Sequence, residues 1–174
     1  MAKLGFVYDI TRCTGCKACQ VACKDKNNLP EGDYYRRVDI FEYEGHTVRY
    51  SGACNHCEEP LCAAACLTGA MHKAADGTVQ HADGLCIGCG ACVWSCPYGA
   101  PHFSRGKGLS QKCDACADLR EKGQSPACVQ ACITHCLRFE ALEDAAPGET
   151  PGFLPAPELT RPALRILPAK RSKP

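Results

Sequence analysis

The stretch CIGCGACVWSCP, residues 86 to 97, carries four cysteines in the order C-x2-C-x2-C-x3-C and a proline directly after the last. CTGCKACQVAC, residues 13 to 23, repeats the spacing without the proline. This is the bacterial ferredoxin run, in which three cysteines bind one iron-sulfur cluster and the fourth reaches another. The x2 steps let a tight loop aim three thiolates at neighbouring corners of a cube. The fourth cysteine stands about one helical turn further on, where a short helix carries it toward a second cube.

Working outward, the 17 cysteines of this 174-residue chain fall into four groups. Group one is Cys13, Cys16, Cys19 and Cys23; group two is Cys54, Cys57, Cys62 and Cys66; group three is Cys86, Cys89, Cys92 and Cys96. Group four is Cys113, Cys116, Cys128 and Cys132, with Cys136 left over. Each ferredoxin unit needs two groups that exchange their fourth ligands. Groups two and three are joined by only 19 residues, with Asp76-Gly77 marking a hairpin between them, so they are expected to form an inner unit. Groups one and four then form the outer unit, with GFVYD (5–9) and LRFEAL (137–142) supplying one paired strand from each end. The ligand sets inferred from this nesting are Cys13, Cys16, Cys19 and Cys132 for cluster 1, and Cys23, Cys113, Cys116 and Cys128 for cluster 2. Cluster 3 takes Cys54, Cys57, Cys62 and Cys96, and cluster 4 takes Cys66, Cys86, Cys89 and Cys92.

Composition excludes several other classes. Residues 1–10 lack a basic and then apolar export signal, and an odd cysteine count with x2 spacings argues for metal over disulfides. The expected compartment is therefore the cytoplasm, the alternative being the periplasm by co-export with a partner that carries the signal. Residues 84–104 have no Asp, Glu, Lys or Arg, but four cysteines, four glycines and two prolines there would leave the backbone unsatisfied in lipid, so no membrane span is expected. A formal charge of +1 gives no case for nucleic acid. The sequence has no GxSxG, HExxH, P-loop or GxGxxG, which leaves hydrolytic and nucleophilic chemistry unsupported.

Outside the cysteine groups, residues 34–50 read as an inserted β-hairpin broken at Glu44-Gly45. From Ala145 onward, seven of the twelve prolines fall in 30 residues, which predicts an extended tail without regular structure, wrapped on a partner or packed on its own domain. The expected fold class is α+β: two interleaved bacterial ferredoxin-like units with two [4Fe-4S] clusters each, an inserted β-hairpin and an extended Pro-rich C-terminal tail. The outer unit takes residues 1–53 and 97–144, the inner unit 54–96, and the tail 145–174.

With CTGCKACQVACKD, CNHCEEPLCAAAC, CIGCGACVWSCPYGAPHF and KCDACADLREKGQSPACVQAC in this order, the chain resembles the four-cluster iron-sulfur subunit of the dimethyl sulfoxide reductase family of molybdenum and tungsten oxidoreductases, from Gly5 to about Leu142. The resemblance implies a non-catalytic subunit that carries electrons between a molybdenum- or tungsten-pterin catalytic subunit and a second redox partner, a membrane anchor, flavoprotein or soluble carrier. It also implies the same nesting of groups. Relatives with tryptophan at the position of Cys89 hold a three-iron cluster; with Cys89 kept, four [4Fe-4S] clusters are implied. Leu67 and Ile133 stand where many relatives have proline, a change in local turn rather than in ligands.

Each cubane with its four thiolates carries about −2, so four take the chain from +1 to about −7. Arg12, Lys17, Lys24 and Lys112 are candidates for raising local potentials, weighed against a solvated role for each. Trp94 and Tyr98 read as apolar cover over a cluster. His56 is not needed as a ligand, and Cys136 reads as a small buried side chain. Two rivals remain: an independent or self-associating polyferredoxin serving several partners, such as a tungsten aldehyde oxidoreductase with a flavin subunit, and a zinc-stabilised scaffold. Zinc ribbons use separated C-x2-C pairs and give no reason for the x2-x2-x3 run.

Overall fold

The computed structural model describes residues 3–167. Strand β1 (Leu4–Asp9) is the centre of its sheet. It pairs antiparallel with β8 (Leu137–Ala141), Phe6 opposite Phe139, and parallel with β9 (Leu164–Leu167), Phe6 opposite Leu164. Alternation along the strand divides its side chains between two cores. Phe6 and Tyr8 pack among cysteines of groups one and four, while Val7 packs with Leu142 and Ala163 on the other face.

Between these strands lie short elements: α1 (Ala18–Lys26), the hairpin β2 (Arg37–Tyr43) and β3 (His46–Gly52), α2 (Leu61–Ala64), and the hairpin β4 (Met71–Lys73) and β5 (Val79–His81). Next come α3 (Ala91–Ser95), β6 (His102–Ser104), β7 (Leu109–Gln111), α4 (Ala117–Arg120) and α5 (Ala127–Gln130). The β2–β3 turn is Glu44-Gly45, both at positive φ (49° and 76°), the two-residue geometry whose twist matches that of its strands. In the β4–β5 turn, Asp76 accepts from the Thr78 N–H and hydroxyl and pairs at 2.7 Å with Arg120 of α4. Apart from the nine-residue α1, the α-helices span four or five residues, too short to be stable alone. They are held by packing, α1 against α5 and α2 against α3. Among the described residues no helix is long and apolar enough to cross a membrane.

The Pro-rich segment departs from the expectation of a tail without regular structure. It supplies β9, and its backbone binds the group-two loop, Glu58 N–H to Arg161 O at 2.9 Å and Ala163 N–H to Asn55 O at 2.8 Å. Phe153 inserts among Phe41, Tyr43 and Tyr50 with ring centroids 5.3 to 5.6 Å apart. The reason is local: between the prolines, LRIL offers four residues with free N–H groups, and β1 has an open edge to receive them. As far as Leu167 the segment packs on its own chain; the remainder of the expected tail lies outside the described residues.

Gly5 marks the tightest approach in this sheet. A Cβ there would collide with the Ala163 carbonyl oxygen and stand 2.8 Å from Leu142 Cδ1. Gly5→Ala is therefore expected to cost about 1–3 kcal/mol by prising β9 off β1, read as a lower thermal midpoint under anaerobic conditions.

Candidate metal centres

The first C-x2-C turn of each group shares one backbone device. The second residue of the gap is Gly15, His56, Gly88 or Ala115, and each has positive φ: 74°, 44°, 68° and 57°. For a residue other than glycine this conformation costs of order 1–2 kcal/mol. At both non-glycine positions the surroundings hold it. His56 is fully buried and its Nδ1 accepts from the Val79 N–H at 3.1 Å, tying group two to β5. The Ala115 N–H points at Cys113 Sγ, 3.4 Å away.

All 17 cysteines are free of disulfides. Cys13, Cys16, Cys19 and Cys132 line one small cavity, with Cys16 at its exposed mouth and Cys136 in its wall. Cys23, Cys113, Cys116 and Cys128 are all buried. Burial first, and then the nearby thiols of Cys128 and Cys116, push Cys23 up to about 12. Cys54, Cys57, Cys62 and Cys96 form a third neighbourhood: burial and then Cys54 and Cys96 raise Cys62 to about 12, and burial raises Cys57 to about 11. Cys66 and Cys92 share a core with Met71 and Val79, whereas Cys86 and Cys89 stand nearer solvent at the rim.

Cys23, Cys57 and Cys62 resist ionisation because each thiolate would be buried beside other sulfurs. A cationic centre among them reverses that balance, since coordinating thiols are deprotonated outright. Among the described residues no three His, Cys, Asp or Glu side chains stand close enough to share one metal ion. Thiolates on separate corners of an iron cube are spread more widely than four on one zinc, where Zn–S is about 2.3 Å. The donor set and its spacing fit [4Fe-4S] clusters.

Other groups prepare the sulfurs. Burial opposes ionisation of Cys66, but the N–H groups of Met71, Thr68 and Ala70 and the Thr68 hydroxyl outweigh it and hold this thiol below its ordinary range. Cys132 is lowered in the same way against its burial, by the Leu137 N–H, the Cys136 thiol and N–H, and the Thr134 hydroxyl. The two sites repeat one another: each cysteine has threonine two residues on and a donating N–H five residues on. At the position four residues on, Ala70 and Ala100 correspond to Cys136, whose Sγ is 3.4 Å from Cys132 Sγ. Burial pushes Cys136 up to about 12, so it stays a neutral S–H donor.

Of the four sequence-selected cations, Arg12 and Lys17 are exposed and Lys24 is half-buried, donating to the Pro30 and Asp33 carbonyls. Lys112 differs from a solvated charge: it is 4% exposed and its ammonium donates to the carbonyls of Val79 and Cys113. Trp94 is 87% exposed, correcting its reading as apolar cover; Tyr98 is half-buried, 3.2 Å from the Thr160 hydroxyl. Sequence reasoning missed Arg36, which is 2% exposed. Burial opposes its charge, but Cys128, Cys113, Cys19 and Cys23 outweigh that when they are thiolates and hold it protonated. Its Nε and Nη2 have no partner. The only sequence signal is the Arg36-Arg37 pair at the start of a strand, which does not say which of the two turns inward.

Comparison with known proteins agrees with this chemistry. The 4Fe-4S dicluster domain family matches residues 46–142, and the 4Fe-4S binding domain family matches residues 10–34. An anaerobic dimethyl sulfoxide reductase chain of Escherichia coli (strain K12) is 39% identical over 99% of this chain and 92% of its own length. The thiosulfate reductase electron transfer subunit PhsB of Salmonella typhi is 40% identical over 80% of this chain and 76% of its own. A sulfite dehydrogenase subunit of Allochromatium vinosum is 34% identical over 99% and 86%. Cys136→Ala should leave iron and acid-labile sulfide per chain unchanged, because groups two and three carry alanine, Ala70 and Ala100, at the position of Cys136.

Proposed function

This chain belongs to the family of 4Fe-4S electron-transfer subunits found in anaerobic dimethyl sulfoxide reductase, and on that premise we propose that it relays single electrons through four [4Fe-4S] clusters within a molybdenum- or tungsten-pterin oxidoreductase. It is a non-catalytic, electron-transfer member of such a complex. The partners proposed are the pterin-bearing catalytic subunit and a second redox subunit, a membrane anchor or flavoprotein. We assign the chain to the cytoplasm, or to the periplasm if a partner's signal exports it.

The ligand sets follow the nesting of the sequence: Cys13, Cys16, Cys19 and Cys132; Cys23, Cys113, Cys116 and Cys128; Cys54, Cys57, Cys62 and Cys96; Cys66, Cys86, Cys89 and Cys92. The observation that carries this reading is the helix pairing, α1 with α5 and α2 with α3, since each helix bears cysteines of its own group. That pairing supports an outer unit of residues 1–53 and 97–144 around an inner unit of 54–96. Cys54 packs in the same core as Cys113, which makes this contact the natural crossing between the two units.

When bound, a cluster accepts and returns one electron, spread over several irons. The chain's own residues do the rest. Backbone N–H groups aimed at Cys66, Cys113 and Cys132 offset negative charge on sulfur, Lys112 sets a buried cation beside Cys113, and Phe6, Tyr8 and Met71 keep water from the interior.

Purification through this chain, anaerobically from its native host, should give about 16 irons with matching sulfide and molybdenum or tungsten. The same iron without either metal would turn the reading to an independent polyferredoxin, and zinc in place of iron and sulfide would overturn it. Cys62→Ala should remove about four of those irons, because only one cubane depends on that thiol.

A further inference from the structure

Arg36 is a buried cation without an acid. Nη1 donates to the Ser51 carbonyl at 2.9 Å and to its hydroxyl at 3.1 Å, and Cζ lies 4.5 Å from the Phe6 ring centre. These contacts pin the guanidinium from two sides and leave Nε and Nη2 without partners. Among the described residues no carboxylate pairs with it; the ionisable groups around it are the thiols of Cys19, Cys23, Cys113 and Cys128. Ser51 extends the arrangement, its hydroxyl also reaching Cys19 Sγ at 3.4 Å. An unpaired buried charge is too costly to persist, so something anionic must face the two free N–H groups.

We propose that Arg36 is the shared counter-cation of clusters 1 and 2, a positioning residue for electron transfer that holds both of their reduction potentials up together. The inference rests on the four-cluster reading. Cys19 belongs to the ligand set of cluster 1, and Cys23, Cys113 and Cys128 to that of cluster 2, so one side chain faces both. Each reduction adds one electron and no proton, taking a cubane with its thiolates from about −2 to about −3. A fixed positive charge nearby favours the more negative state. Arginine suits the position better than lysine: its planar fork can bind Ser51 with one nitrogen while two others face different sulfurs.

The test is a dithionite titration of the anaerobically purified complex, with each cluster followed by electron paramagnetic resonance, for wild type, Arg36→Gln, Arg36→Met and Arg36→Lys. The wild type must first show about 16 irons; if it does not, the four-cluster reading fails and not the role of Arg36. In the Gln and Met variants two of four couples should become harder to reduce by about tenfold in equilibrium constant, about 59 mV for one electron, with the other two in place. Arg36→Lys, which keeps the charge, should shift less. Unchanged potentials at full iron content overturn the proposal, as does an equal shift of all four. If the neutral variants load poorly, loss of about eight irons alongside a fully loaded Arg36→Lys supports it. Equal loss in all three variants would mean a packing role and overturn it.

Discussion

Sulfur anions crowded into a small volume repel one another, and the structure answers that repulsion at several of the thiols. Burial drives the thiols of Cys23, Cys57 and Cys62 toward the neutral form, and neighbouring thiols add to the effect. The counterweights are positive ends of dipoles and a few buried cations: N–H groups at Cys66, Cys113 and Cys132, hydroxyls of Ser51, Thr68 and Thr134, and the side chains of Arg36 and Lys112. Hydrophobic burial alone would favour a different interior, because 11 residues of the largest buried core include six cysteines. Sulfur shapes this core as much as apolar packing does.

What the sequence makes legible follows from covalent spacing. C-x2-C-x2-C-x3-C restricts its thiolates whatever lies around it, so the cysteine groups could be read before any tertiary contact was known. Glu44-Gly45 was legible for the same reason, since a two-residue turn at positive φ is a local property. The strands and the ferredoxin-type α+β class follow from these short-range signals.

Properties that depend on distant neighbours were not legible. Lys112 and Arg36 are ordinary cations in sequence, and only the fold sets them where water cannot reach. Trp94 sits two residues from Cys92 in a run that looks apolar throughout, yet helix α3 turns its ring outward. Proline density from residue 147 to 162 suggested an irregular tail, and it hid LRIL at 164–167, whose strand role depends on the open edge of β1. The twin threonines at 68 and 134 are visible as letters, but their shared task beside Cys66 and Cys132 appears only once both turns are folded.

The sheet also sets an order of events on the ribosome. Among the described residues β1 precedes every other strand and its two neighbours, β8 and β9, follow all the rest, so β1 emerges with neither edge covered. Groups two and three are complete once residue 96 has been synthesised, but group one cannot meet group four until about residue 132 has followed. Pairings this remote in sequence close late, after the entropy of a long loop has been overcome. In this chain the middle is therefore free to fold during synthesis, while strand β1 waits for partners that begin only at Leu137 and Leu164.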